Sequence, residues 1–155
     1  TATSAWLEAA LAASRRGMVF SFNVNPGFDL IERVRGQVVP GECYTPVPFF
    51  PTTFHLNWDR AEDRERAARL ADARIIETFE QNLWLQTHPW LGNVDAGFFL
   101  TYITSFNEWH EGTQFEPMRA PADLTSSERA VGYHNPADGV YRLRRLAELV
   151  DRLVA

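Results

Sequence analysis

Lysine is absent. All 15 basic residues among the 155 are arginine, which excludes Schiff-base catalysis and a P-loop phosphate lysine from this chain. Cysteine is nearly absent as well. Cys43 stands alone, so there is no internal disulfide and no cysteine-based zinc cluster. It lies in a Pro-rich stretch beside Glu42, whose charge disfavours the thiolate, and a bystander is expected rather than a nucleophile. No run approaches the roughly 18 uninterrupted apolar residues of a membrane span. The net charge is −5 and no basic block occurs, so a nucleic-acid partner is not expected. The chain opens on Thr1 without a basic-then-apolar leader. The expectation is that processing or truncation removed the true start, which leaves the compartment unknown from this end.

Aromatic residues, by contrast, are plentiful: 11 Phe, 5 Trp and 4 Tyr. That apolar area excludes intrinsic disorder and describes a globular domain or part of one. Local signals then give an order. Ser4 to Arg16 reads as a helix capped by Thr3 or Ser4, apolar along Trp6, Leu7, Ala10 and Leu11, and closed by Gly17. Met18 to Phe22 is a short apolar run expected to be a buried strand. Residues 23–58 hold five prolines among aromatics and read as a long loop, far beyond the usual connection of about 2–6 residues. Asp59, with Glu62 three residues on, has capping-box spacing for a long helix whose buried face is Ala67, Leu70, Ala71, Ile75, Phe79, Asn82 and Leu83. Phe98 to Phe106 is the second expected strand, residues 107–134 a second long loop. Pro136 and Asp138 open a last helix with the stripe Val140, Leu143, Leu146, Ala147, Val150 and Leu153.

The expected fold class is therefore α/β, in the order α-β-α-β-α with parallel strands and long loops leaving each strand. Sites in such folds sit at the C-terminal ends of the strands. There lies the chemically densest segment. Glu108, Glu111 and Glu116 fall within nine residues, interspersed with Asn107, Trp109, His110 and Gln114. Residues three apart in a turn-like backbone project to one side, so Glu108 and Glu111 are placed to converge. Like charges at that range drive one pKa up, leaving one acid protonated and the other ionised near neutrality. An acid and a base acting together on a glycosidic bond need that division. Asn107 is suited to bind a carboxylate or a sugar hydroxyl, and Trp109 offers a face on which a sugar ring packs. The competing reading is a solvated helix N-terminus, where acidic residues are favoured by the macrodipole. A zincin is excluded because His110 has no second His four residues later.

The string Ile103-Thr-Ser-Phe-Asn-Glu-Trp-His-Glu-Gly-Thr-Gln-Phe-Glu-Pro117 resembles the signature of glycoside hydrolase family 99, the endo-α-mannosidases and endo-α-mannanases. Asn25-Pro-Gly-Phe-Asp29 is similar to the family's Pro-Gly-Tyr element, and Tyr133-His-Asn-Pro136 with Tyr141, Arg144 and Arg145 is similar to its closing helix. The resemblance implies a (β/α)8 TIM barrel of which residues 1–155 are a single partial domain, the C-terminal part, its N-terminal half lying outside this chain. Such barrels take about 250 residues. It implies that Glu108 acts as base on a mannose 2-hydroxyl, which attacks the anomeric carbon to give a 1,2-anhydro sugar. Glu111 would protonate the leaving oxygen and then activate water, with net retention. An oligo- or polysaccharide substrate is implied, without metal or organic cofactor, and so is an extracytoplasmic setting. Substrate contacts are expected from Asn107, Trp109, His110, Gln114, Glu116, Asn25 and Phe28.

Phe28 stands where the family has Tyr, and residues 35–58 have no family counterpart. Trp109 fits sugar stacking and plugging of the barrel mouth equally, and Glu116 fits a structural role at the loop base or a substrate contact. Trp58, Trp84 and Trp90 are expected in packing, and Arg142, Arg144 and Arg145 on a helix surface. Three functions remain open: an endo-acting retaining α-mannoside hydrolase, a catalytically impaired glycan-binding barrel module, and a barrel domain associated with polysaccharide biosynthesis. The first is the leading expectation.

Overall fold

An Ala-rich start with a glycine stop makes the first element, α1 (Ala2–Ser14). The computed structural model describes residues 2–27, 29–33, 44–48, 60–108, 113–127 and 138–154. Gly17 takes φ 66° and donates to the Ser14 carbonyl at 3.0 Å, while Met18 N–H reaches back to Ala13 at 3.0 Å. This is a Schellman closure, which needs a left-handed residue at the position Gly17 fills. Beyond it the chain forms β1 (Asn23–Val24), β2 (Asp29–Arg33) and β3 (Tyr44–Pro48). Then come α2 (Ala61–Thr87), α3 (Gly92–Asp95), β4 (Tyr102–Ile103) and α4 (Tyr141–Val154). Most of the regular structure described is helical.

β1 and β4 pair in parallel, Asn23 opposite Tyr102 and Val24 opposite Ile103. The intervening helix α2 makes them a β-α-β unit. The second strand is shorter than the sequence suggests, and the first is displaced: residues 18–22 form no ladder, and β1 falls where the long loop was expected to begin. The reason lies in three buried amides. Asn93 accepts from Phe20 N–H at 3.0 Å and donates to its carbonyl at 2.7 Å. Asn82 does the same for Phe22, at 3.3 and 2.9 Å. Gln86 links the two, donating to Asn82 at 2.7 Å and accepting from Leu100 N–H at 2.9 Å. The backbone groups a neighbouring strand would pair are thus taken by side chains.

The loop expected over residues 23–58 is also more structured than foreseen. β2 and β3 form an antiparallel ribbon, Asp29 opposite Pro48 through Arg33 opposite Tyr44. Both strands of a two-stranded ribbon are edges, which is where Pro46 and Pro48 are tolerated.

α2 begins after Arg60, an N-cap with extended backbone and no side-chain cap bond; Asp59, the expected cap, lies outside the described residues. Its buried face is Ala67, Ala71, Ile75, Thr78, Phe79, Asn82, Leu85 and Gln86, with Leu70 turned outward. Two apolar clusters form along it. Val24, Ile75, Phe79, Phe115 and Leu149 make one. Ala10, Leu85 and Leu91 make the other, flanked by Trp6 stacked on Phe22 at 4.7 Å. Trp84 and Trp90 leave the packing they were expected to join. They flank His88 edge-on from the outside, and Trp90 is 86% exposed.

α4 departs further. It starts at Tyr141, while Asn135 and Pro136, the expected start, lie outside the described residues; Asp138 precedes it as a cap, accepting from Val140 N–H at 3.2 Å. Of the expected stripe, Val140, Leu143, Val150 and Leu153 are exposed. The buried positions are Arg142 and Leu149, and Arg145 forks onto Asp72 of α2 through two bonds. This ion pair, rather than the apolar stripe alone, sets which face of α4 meets α2. No helix among the described residues is long and apolar enough to cross a membrane.

Candidate functional site

The segment that follows β4 is built on Ser105. Thr104 N–H extends the parallel ladder by donating to Val24 at 2.9 Å. Ser105 then donates to the Thr113 carbonyl at 3.0 Å, and its own carbonyl accepts from Phe115 N–H at 2.9 Å. Its hydroxyl accepts from Glu108 N–H at 3.0 Å and lies 3.2 Å from the Thr113 hydroxyl. Thr113 N–H returns to the Glu108 carbonyl at 3.2 Å. A small hydroxyl residue suits this point, since it bonds local backbone without filling space.

Above that clasp, Asn107 and Glu108 have exposed side chains. The candidates Trp109, His110 and Glu111 lie outside the described residues, so the Glu108–Glu111 pair is not described; Phe28 lies outside them too. On the return arm, Thr113, Gln114 and Phe115 are buried. Gln114 points its amide nitrogen at the Met118 sulfur, 3.1 Å away. Glu116 is half-buried, its N–H donates to Phe106 at 2.8 Å, and one carboxylate oxygen is buried with no hydrogen-bond partner among the described residues.

Asn25 leaves the C-terminal end of β1, the same edge of the sheet from which the motif leaves β4. It is buried and committed locally. Its side-chain oxygen accepts from Gly27 N–H at 3.1 Å and from Arg74 at 3.5 Å, and its nitrogen donates to Asn23 at 2.8 Å. Its own N–H reaches the Thr78 hydroxyl at 3.3 Å. Asn25 thereby shapes the turn through Pro26 to Gly27, where φ is 91°. The parallel pairing therefore places Asn25, Asn107, Glu108, Gln114 and Glu116 at one sheet edge, with only Asn107 and Glu108 fully outward.

Sequence reasoning missed the residues that hold this edge. Ser105 and Thr113 sit inside the motif but read as spacers. Gly139 was silent, although a Cβ there would coincide with the Met118 carbonyl and Met118 N–H donates to the Gly139 carbonyl at 2.8 Å. Arg142, expected on the helix surface, is 3% exposed. Among the described residues no three His, Cys, Asp or Glu side chains are grouped to hold a metal ion. No protein-family model matches the chain, and neither a curated protein nor a solved structure gives a match.

Proposed function

We propose that the chain is part of a retaining, endo-acting α-mannoside hydrolase, in which residues 1–155 form the C-terminal part of a (β/α)8 barrel. The observation that carries the reading is positional. The Asn107-to-Pro117 motif leaves the C-terminal end of a parallel strand whose neighbour, β1, ends at Val24, just before Asn25. Parallel α/β folds place their chemistry there. The exposed Glu108 carboxylate is accessible to a large glycan. The assignment of mannose rests on the motif resemblance alone.

In this reading Glu108 removes the proton from the 2-hydroxyl as that oxygen attacks the anomeric carbon, while Glu111 protonates the departing glycosidic oxygen. Glu111 then takes a proton from water, water opens the anhydro ring at the anomeric carbon, and the Glu108 acid returns its proton to the 2-oxygen. Two displacements at one carbon retain its configuration. The test is turnover of an α-mannan or a high-mannose oligosaccharide by the full-length protein. Glu111→Gln is expected to lose about 10²–10⁴-fold in kcat, the usual worth of a general acid–base group. Wild-type turnover in that variant would overturn the reading. Phe28, in place of the family's Tyr, favours a second reading, a glycan-binding module without turnover. Calorimetric mannoside binding with no product formed would establish it.

A further inference from the structure

Arg142 lies in the first turn of α4, yet is almost wholly buried. A guanidinium is costly to bury unless the interior supplies acceptors. Its NH1 donates to the Gln114 carbonyl at 2.9 Å, a buried bond spanning 28 residues of chain, and its Nε donates to the Tyr141 hydroxyl at 3.0 Å. The Gln114 carbonyl is the group left over by the clasp below the motif. Ser105 uses the Thr113 carbonyl and the Phe115 N–H on either side of it, which leaves the Gln114 oxygen facing the interior. A second tie lies four residues on, where Met118 N–H meets the Gly139 carbonyl. The return arm is thus held from two sides, by the strand exit at Ser105 and Phe106 and by the start of α4.

We propose that Arg142 is a positioning residue for the motif. It fixes the Gln114 carbonyl, hence Thr113 and its bond to the Glu108 carbonyl, and hence the backbone from which the Glu108 carboxylate projects. The catalytic consequence rests on the hydrolase reading; the anchoring does not. Lysine is a poor substitute because its single ammonium on a flexible stem does not reproduce the planar fork that serves Gln114 and Tyr141 together.

Hydrogen–deuterium exchange on the intact protein tests the anchoring whether or not the protein turns over mannan. In Arg142→Met, the amides of Ser105, Thr113, Phe115 and Glu116 are expected to exchange about 10–100-fold faster, the equivalent of one buried bond lost. Those of α2 should keep their wild-type rates. Wild-type protection at the four amides overturns the proposal, and so does equal acceleration in α2, which would make Arg142 a general stabiliser. Arg142→Lys is expected between the two. Should Arg142→Met not fold, the lysine variant decides, and wild-type protection in it overturns the proposal.

Where the wild type cleaves α-mannan, Arg142→Met should lower kcat about 10–100-fold, the scale of a small misplacement of reacting groups. KM should stay near wild type, and Arg142→Lys should recover part of the loss. An unchanged kcat overturns the catalytic half of the proposal. A wild type without turnover defeats the hydrolase reading instead and leaves the exchange result standing on its own.

Discussion

Before β1 and β4 pair, the backbone at Phe20, Phe22 and Leu100 is held by Asn82, Gln86 and Asn93, all essentially inaccessible to solvent. Beyond their paired residues, the backbone is held by the Ser105 clasp and by a buried guanidinium, Arg142. The two solutions are not interchangeable. An amide carries a donor and an acceptor, so one side chain can satisfy both groups of a residue, as a neighbouring strand would. A guanidinium only donates. It can cap a carbonyl at a loop but cannot stand in for a ladder. The first region is accordingly scaffold, and the second is a loop aimed from below.

Replacing the amide at the scaffold end should have the largest effect. Asn82→Leu keeps the size but strips partners from the Phe22 N–H, the Phe22 carbonyl and the Gln86 amide. At about 1–3 kcal/mol for each buried group left unmatched, a loss of at least about 3 kcal/mol is expected in urea unfolding. A loss below about 1 kcal/mol would show that water replaces the amide there. At the loop end, Gly139→Ala forces a methyl onto the Met118 carbonyl, and about 2–3 kcal/mol is expected from the backbone shift. A thermal melt with the wild-type midpoint would contradict the close approach.

The smallest effect concerns Asp138, which sits half-exposed at the start of α4. The Arg144 hydrogen bond holds its carboxyl below the usual range, with backbone donation from Val140 adding to that and slight burial opposing it. A depressed folded pKa stabilises above the unfolded value near about 3.9. That contribution is lost as pH falls through the folded value. Solvent screening limits it to under about 0.5 kcal/mol. Urea midpoints of wild type and Asp138→Asn should therefore differ slightly at neutral pH and converge in acid; a gap that widens in acid reverses the sign and refutes the pairing.

Local signals in the sequence were legible where local forces decide. The Gly17 stop, the long helix α2 and the apolar positions Ala67, Ala71, Ile75 and Phe79 follow from spacing and backbone preference. Strand extent was not legible, because the amides of Asn82 and Asn93 compete for the groups that Met18 to Phe22 would pair, and nothing in a helical asparagine announces that. The apolar stripe of α4 was legible as a pattern but not as a contact. Arg145 on Asp72 and Arg142 on Gln114 turn the helix so that Val140, Leu143 and Val150 face outward. At the candidate site, the motif singled out a polar segment, of which the structure leaves Asn107 and Glu108 exposed. It did not identify Gly139 or Arg142, whose importance comes from groups at least 20 residues away in sequence.

The amides also matter for the order in which the chain is made. Asn23 cannot meet Tyr102 until residue 102 has been synthesised, whereas the partners of Phe20 and Phe22 are complete once Asn93 has emerged. Loop closure grows only slowly with length, so these distances differ little in entropy. They differ in time. At about 5–20 residues per second, the first apolar segment can find its hydrogen-bond partners before its neighbouring strand exists, and β4 then arrives at an edge already held in place.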